Sequence, residues 1–198
     1  MSRPSAPRSG IPGLWDRLAG PGATPAENAL NLTWTLLFTA GVISYAFVRP
    51  LGWSPVQLAV VALFAFDIAG GVSVNASPRG GRWWHRPGQS RWAPLRFVLA
   101  HLHPFVLALL FLAFTWGGAV LLYGYVVTAT LAIVLAPRPL QRPLAFVLYA
   151  LSLLLVLYLI RVPTGLEWFA PLYLLKLLLA HTPLDPITLG PDDGRVSP

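Results

Sequence analysis

The sequence has no cysteine, which excludes disulfides, thiolate catalysis and cysteine-ligated metal and leaves the redox compartment unmarked. Charge is scarce too. Only 11% of the 198 residues are Asp, Glu, Lys or Arg, against 56% hydrophobic, which is not the composition of a water-soluble domain. None of the four charged types occurs between Phe97 and Pro137, a stretch too long for one helix of a soluble core. Residues 1–26 hold no apolar h-region, so insertion is expected to be driven by the later spans rather than by a cleaved leader. Phosphate-binding and dinucleotide loops, a His-Glu-x-x-His helix and a Gly-x-Ser-x-Gly elbow are all missing, which removes the commonest nucleotide, zincin and serine-hydrolase chemistries.

What remains is apolar runs punctuated by Pro, Gly and Arg. They predict an all-α integral membrane protein with six transmembrane helices in one bundle. The expected spans are about 28–48, 56–75, 95–114, 119–136, 144–160 and 166–181, the last being the weakest because it contains Glu167, Pro171 and Lys176. Residues 1–26 read as a flexible tail in which Leu14, Trp15 and Leu18 touch the membrane surface at most briefly. Residues 27–182 form the transmembrane domain, and 183–198 a polar C-terminal tail.

Six spans put Arg3, Arg8, Arg17, Arg79, Arg82, Arg86, Arg91, Arg96, Arg138, Arg142 and Arg195 on one side and leave Arg49 and Arg161 on the other. By the positive-inside rule this predicts a multi-pass cell-membrane protein with both termini cytoplasmic. It also accounts for the net charge of +7 without a nucleic-acid partner. The loop with Arg79, Arg82, Arg86 and Arg91 also holds Trp83, Trp84 and Trp92, the mixture of an interfacial anchor. Anionic lipid is its expected partner, at ~1 kcal/mol per basic residue near the surface.

This orientation gives each polar residue a depth. Glu27, Asn31 and Asn75 lie toward the cytoplasmic end. Asp67 lies roughly 12 Å deeper than Asn75, His103 about 10 Å down and Lys176 about 7–8 Å inside, at 1.5 Å per residue. His101 and His181 fall in the same leaflet. Four spans thus send Glu27, Asn31, Asp67, Asn75, His101, His103, Lys176 and His181 toward one cytoplasm-facing pocket, with Lys176 or a histidine the natural partner of Asp67. On a regular helix His101 and His103 point about 200° apart, so a shared site needs the entry turn to be distorted at Pro104. With that distortion His101, His103, His181 and Asp67 become candidate ligands for zinc or iron.

Three functions stay open at this level. One is binding or transport of a small polar ligand or lipid headgroup. Another is a membrane-embedded His/Asp metal hydrolase, and the third is an assembly protein whose polar groups only set helix register.

Overall fold

The computed structural model describes residues 6–182, so the expected tail at 183–198 lies outside it. Among the described residues every regular element is a helix, and five segments are long and apolar enough to cross a membrane. Helix α1 is Gly10–Ala19, α2 Pro25–Val48, α3 Pro55–Ala76, α4 Pro78–Trp84, α5 Ala93–Leu99, α6 His103–Leu110, α7 Trp116–Leu135, α8 Arg138–Tyr158 and α9 Phe169–Leu174. The last runs directly into a π-helical turn, Leu175–His181.

Helix starts follow from short side chains placed before proline. In Thr24-Pro25-Ala26-Glu27 and Ser54-Pro55-Val56-Gln57 a hydroxyl accepts from the third helical N–H while Glu27 or Gln57 reaches back to the cap, a reciprocal capping box. Proline at the first helical position lacks only an N–H that would have no intrahelical partner. Ser77 and Thr115 cap α4 and α7 through the same kind of hydroxyl contact. These helix starts thereby find acceptors within their own chain segment, without help from neighbouring helices.

The expected third span is not one helix. It breaks at residues 100–102 and ends at Leu110 rather than Phe114. Pro104 has no N–H for the Ala100 carbonyl, and the Leu102 N–H serves that carbonyl instead. Taken together, Ala93–Leu110 is still long and apolar enough to span.

The last segment departs furthest from expectation. Phe169–His181 is shorter than the predicted 166–181 and short of a full crossing by length. Yet Phe169, Tyr173, Leu174, Lys176, Leu177, Leu178 and His181 are all buried. Phe169 packs against Phe64 of α3 and against Phe114, and the turn that follows lies against α3, α7 and α8. Irregular backbone at membrane depth is tolerated where protein rather than lipid surrounds it. The perimeter shows the converse, with Leu37, Phe47, Leu63, Leu109, Leu112, Leu154 and Leu157 exposed.

Residues 10–19, placed by the sequence in a flexible tail, form α1. It is clamped by Arg8, whose backbone and guanidinium N–H groups donate to Asp16 at 2.7–2.9 Å. The indole N–H groups of Trp83 and Trp84 donate to the Arg17 and Leu18 carbonyls. Gly20 has φ +91°, and a Cβ there would stand 2.6 Å from the Arg79 carbonyl oxygen, so the chain can turn beneath α4 only with glycine. Two of the three loop tryptophans expected to anchor in lipid therefore tie α1 to α4.

Candidate functional site

Asp67 and Gly71 lie one turn apart on α3 and face the last segment. A Cβ at Gly71 would overlap Lys176 Cε and lie 2.7 Å from its Cδ, so the missing side chain is what admits the lysine. Lys176 Nζ donates to Asp67 Oδ2 at 2.5 Å and to the Asp67 carbonyl at 3.3 Å. His103 Nε2, at the start of α6, meets the same carboxylate oxygen at 3.2 Å. The three side chains differ in exposure: Lys176 is 2% exposed, His103 15% and Asp67 43%. Among the described residues Asp67 Oδ1 accepts no hydrogen bond. The cation is thus enclosed, while one oxygen of the anion is left on the open side.

The break after α5 lets residues two apart share a face. The His101 and His103 rings stack at 5.3 Å and 17°, where a regular helix would point them apart. His101 Nδ1 bonds to the Phe97 carbonyl at 2.6 Å, and Tyr173 donates its hydroxyl to the His101 carbonyl at 2.7 Å. Phe97 lies 4.3 Å from the His101 ring and 3.7 Å from the His181 ring, and His181 in turn lies 5.3 Å from His85. All four histidines therefore join one column of rings with Phe97 interleaved. It runs from Asp67 to the loop after α4, and Trp84 closes that end against Phe97 and His181. At the loop end, burial lowers the His85 pKa from its usual value, partly opposed by the His181 carbonyl.

Asp67, His101, His103 and Lys176 come together as the sequence predicts, with His181 one ring further along. Glu27, Asn31 and Asn75 do not join them through any hydrogen bond. Glu27 is used locally, capping α2 and accepting from the Arg79 N–H at 3.1 Å. Among the described residues Asn31, 1% exposed, has neither amide atom bonded, and Asn75, 8% exposed, has its amide nitrogen unbonded. Both lie on α2 and α3, which pack closely where Trp34 Nε1 donates to the Ala69 carbonyl and Thr35 faces Gly70.

The candidate metal ligands do not converge on one metal site. Phe97 separates His181 from His101, and Asp67 Oδ2 is already held by the Lys176 ammonium and His103 Nε2. No group of three or more His, Asp or Glu residues suited to a metal occurs among the described residues.

Phe97, Tyr173 and Gly71 complete the site and were not among the predicted site residues. Tyr173 carried a signal, since it precedes Lys176 by three positions and so shares its face. In the basic loop, Arg86 lies 4.0 Å from the centroid of the Trp83 ring and Arg91 4.6 Å from that of Trp92. A separate, largely apolar groove of about 600 Å3 is lined by Trp34, Phe38, Tyr45 and Trp168 among others, and neither Asp67, Lys176 nor a histidine lines it.

Five apolar helices around a charged, partly exposed centre are consistent with a membrane protein. No family model, curated protein or solved structure matches the chain.

Proposed function

We propose that the chain is a six-crossing cell-membrane protein, with both termini cytoplasmic, that binds or transports a small polar ligand or lipid headgroup at Asp67. The arginine distribution supports the orientation. The sixth crossing is supported by the enclosure of residues 169–181, since a segment sheathed in protein need not meet the length rule for a lipid-facing helix. Arg79, Arg82, Arg86 and Arg91 would then lie at the anionic inner surface.

One observation carries the ligand reading. A pair kept only for helix register is best closed on both sides, because each partner left facing hydrocarbon costs energy. Here Lys176 is sealed, but 43% of the Asp67 side chain is exposed at mid-bundle. Water or a ligand must meet that oxygen. Stabilisation of the purified protein by a panel of small cations, anions and zwitterions, measured as a thermal shift, tests this. At least one compound should raise the transition in the unmutated chain and not in Asp67→Asn.

The register-only alternative keeps one observation in its favour, the close fit of Lys176 over Gly71. It predicts that Asp67→Asn weakens folding and that no compound stabilises either form.

A further inference from the structure

The geometry points to a hydrophobic organic cation as the ligand of Asp67, bound in exchange for a proton; this rests on Asp67 being the ligand-facing group. The first reason is polarity. Among the described residues a ligand arriving from the open side meets no free donor at this carboxylate, because Lys176 is 2% exposed with its ammonium committed to Asp67. His103 is committed through Nε2, and its Nδ1 is buried. What it meets is Oδ1, an acceptor with a negative charge behind it. An anion would find repulsion there and no hydrogen bond, whereas a protonated amine finds an acceptor and a quaternary cation a counter-ion.

The second reason is the surroundings. The seam between α3 and α5–α6 is bridged by side chains: Gln57 to the Leu110 carbonyl near one end, then Phe64 and Asp67 to His103. The chain on either side of these bridges carries Leu63, Phe66, Leu99 and Leu102, all exposed. Exposed apolar side chains beside one anionic acceptor suit a cation with a hydrophobic body that partitions into the bilayer first.

The third reason is charge balance. Asp67 and Lys176 are neutral as a pair, so a bound cation would leave one uncompensated positive charge among buried groups, a costly arrangement. Release of one proton restores neutrality. An N–H bond of Lys176 breaks, the proton passes to bulk water, and the neutral amine stays hydrogen-bonded to Asp67 while the ligand takes its place as counter-ion. The titratable or polar groups facing this centre are Asp67 from α3, His101 and His103 at the α5–α6 break, and Lys176 and Tyr173 from the last segment, with His181 and His85 further along the column.

Two ions of matched shape and opposite charge test the proposal, tetraphenylphosphonium and tetraphenylborate. They are added to the full chain in nanodiscs of phosphatidylcholine, with proton release followed by an indicator in weak buffer. Expected are saturable one-to-one binding of the phosphonium only, release of about one proton per cation bound, and affinity lower by about tenfold or more in Asp67→Asn. Lys176→Met should bind the phosphonium without releasing a proton. Preference for the borate, phosphonium binding without proton release in the unmutated chain, or binding unaffected by Asp67→Asn would each overturn it. The comparison of the two ions on the unmutated chain decides the sign of the ligand even if a variant fails to fold. Asp67-dependent stabilisation by a small anion or zwitterion, with no phosphonium binding, would sink the cation and keep the ligand site. Silence from every compound would sink both.

Discussion

Gly71→Ala should destabilise this protein far more than an alanine normally does inside a helix, where it helps by up to about 1 kcal/mol. The added methyl would overlap the Lys176 side chain, whose Cδ lies 2.7 Å from the position it would occupy. A lysine at a surface would swing aside at little cost. Lys176 cannot, because it is buried and its Nζ is held 2.5 Å from Asp67 Oδ2. Moving the stem pulls the ammonium off the carboxylate and leaves both charges short of a partner. Breaking a buried pair costs about 3–5 kcal/mol, and overpacking alone about 1–3 kcal/mol. Asp67 is half exposed and can be partly solvated, so the expected loss is nearer about 3 kcal/mol than the sum. A double-mutant cycle with Lys176→Met isolates the cause, since the more flexible apolar stem can yield without abandoning a charge. Reversible unfolding in mixed micelles, followed by tryptophan fluorescence, should give a coupling above about 1 kcal/mol. Additivity within about 0.5 kcal/mol would show that Gly71 does not act through the lysine.

Two further outcomes follow from contacts at the ends of helices. Ser54→Ala removes one capping acceptor and should cost about 1 kcal/mol. Gln57→Ala should cost more, because Gln57 both completes that box and donates to the Leu110 carbonyl where α6 ends, leaving an acceptor without a partner; the same unfolding assay ranks the two, and the reverse order would refute the bridging role. The α1 clamp should be acid-labile. Hydrogen bonds from Arg8 lower the Asp16 pKa to about 2 from an ordinary 3.8. Their stabilisation is therefore present above the ordinary value and lost as pH falls through the folded one. Limited proteolysis within residues 10–19 by an acid-active protease should rise between pH 4 and 2, and Arg8→Ala should flatten that rise.

The fold and the centre of the site were legible for different reasons. Apolar run length and Pro-Gly-Arg punctuation located five spans, because a bilayer imposes its thickness on any helix that faces lipid. That rule says little about Phe169–His181, which faces protein, so the segment least like a membrane helix is among the most enclosed. Asp67 and Lys176 were found by their expense, since a carboxylate and an ammonium at similar depth must meet or be wetted. Glu27 misled because depth alone was used. It spends its carboxylate on the α2 cap and on the Arg79 N–H. The ring column could not be read from spacing, because it depends on the backbone break that Pro104 introduces and on Phe97 falling between His101 and His181. The partners of the loop indoles were not legible either, because interface composition says nothing of α1, whose Arg17 and Leu18 carbonyls take the Trp83 and Trp84 N–H groups.

The sixth crossing is the inference on which the cytoplasmic C-terminus depends, and the absence of cysteine makes it directly testable. At ~1.5 Å per residue, the segment Phe169–His181 reaches only ~20 Å, against ~30 Å of hydrocarbon. Part of the missing length is supplied before Phe169, where Gly165 and Leu166 lead into the segment as buried, irregular chain. Gly165 lies against Leu51 and Trp53, beside the start of α3, and His181 lies against Trp84 and His85 beyond its end. These two contacts bracket the whole of α3, a 22-residue helix of about 33 Å. The short segment therefore connects the same two levels as a full span. Single cysteines at Ser90, Thr164 and Ser197 in intact cells, probed with a membrane-impermeant maleimide, should label only at Thr164, and all three should label after permeabilisation. Labelling of Ser197 from outside would mean that the chain re-enters and turns back, and the N-in, C-in arrangement would be wrong. Labelling of Ser90 from outside would invert the whole orientation and turn the Asp67 side of the bundle to the exterior.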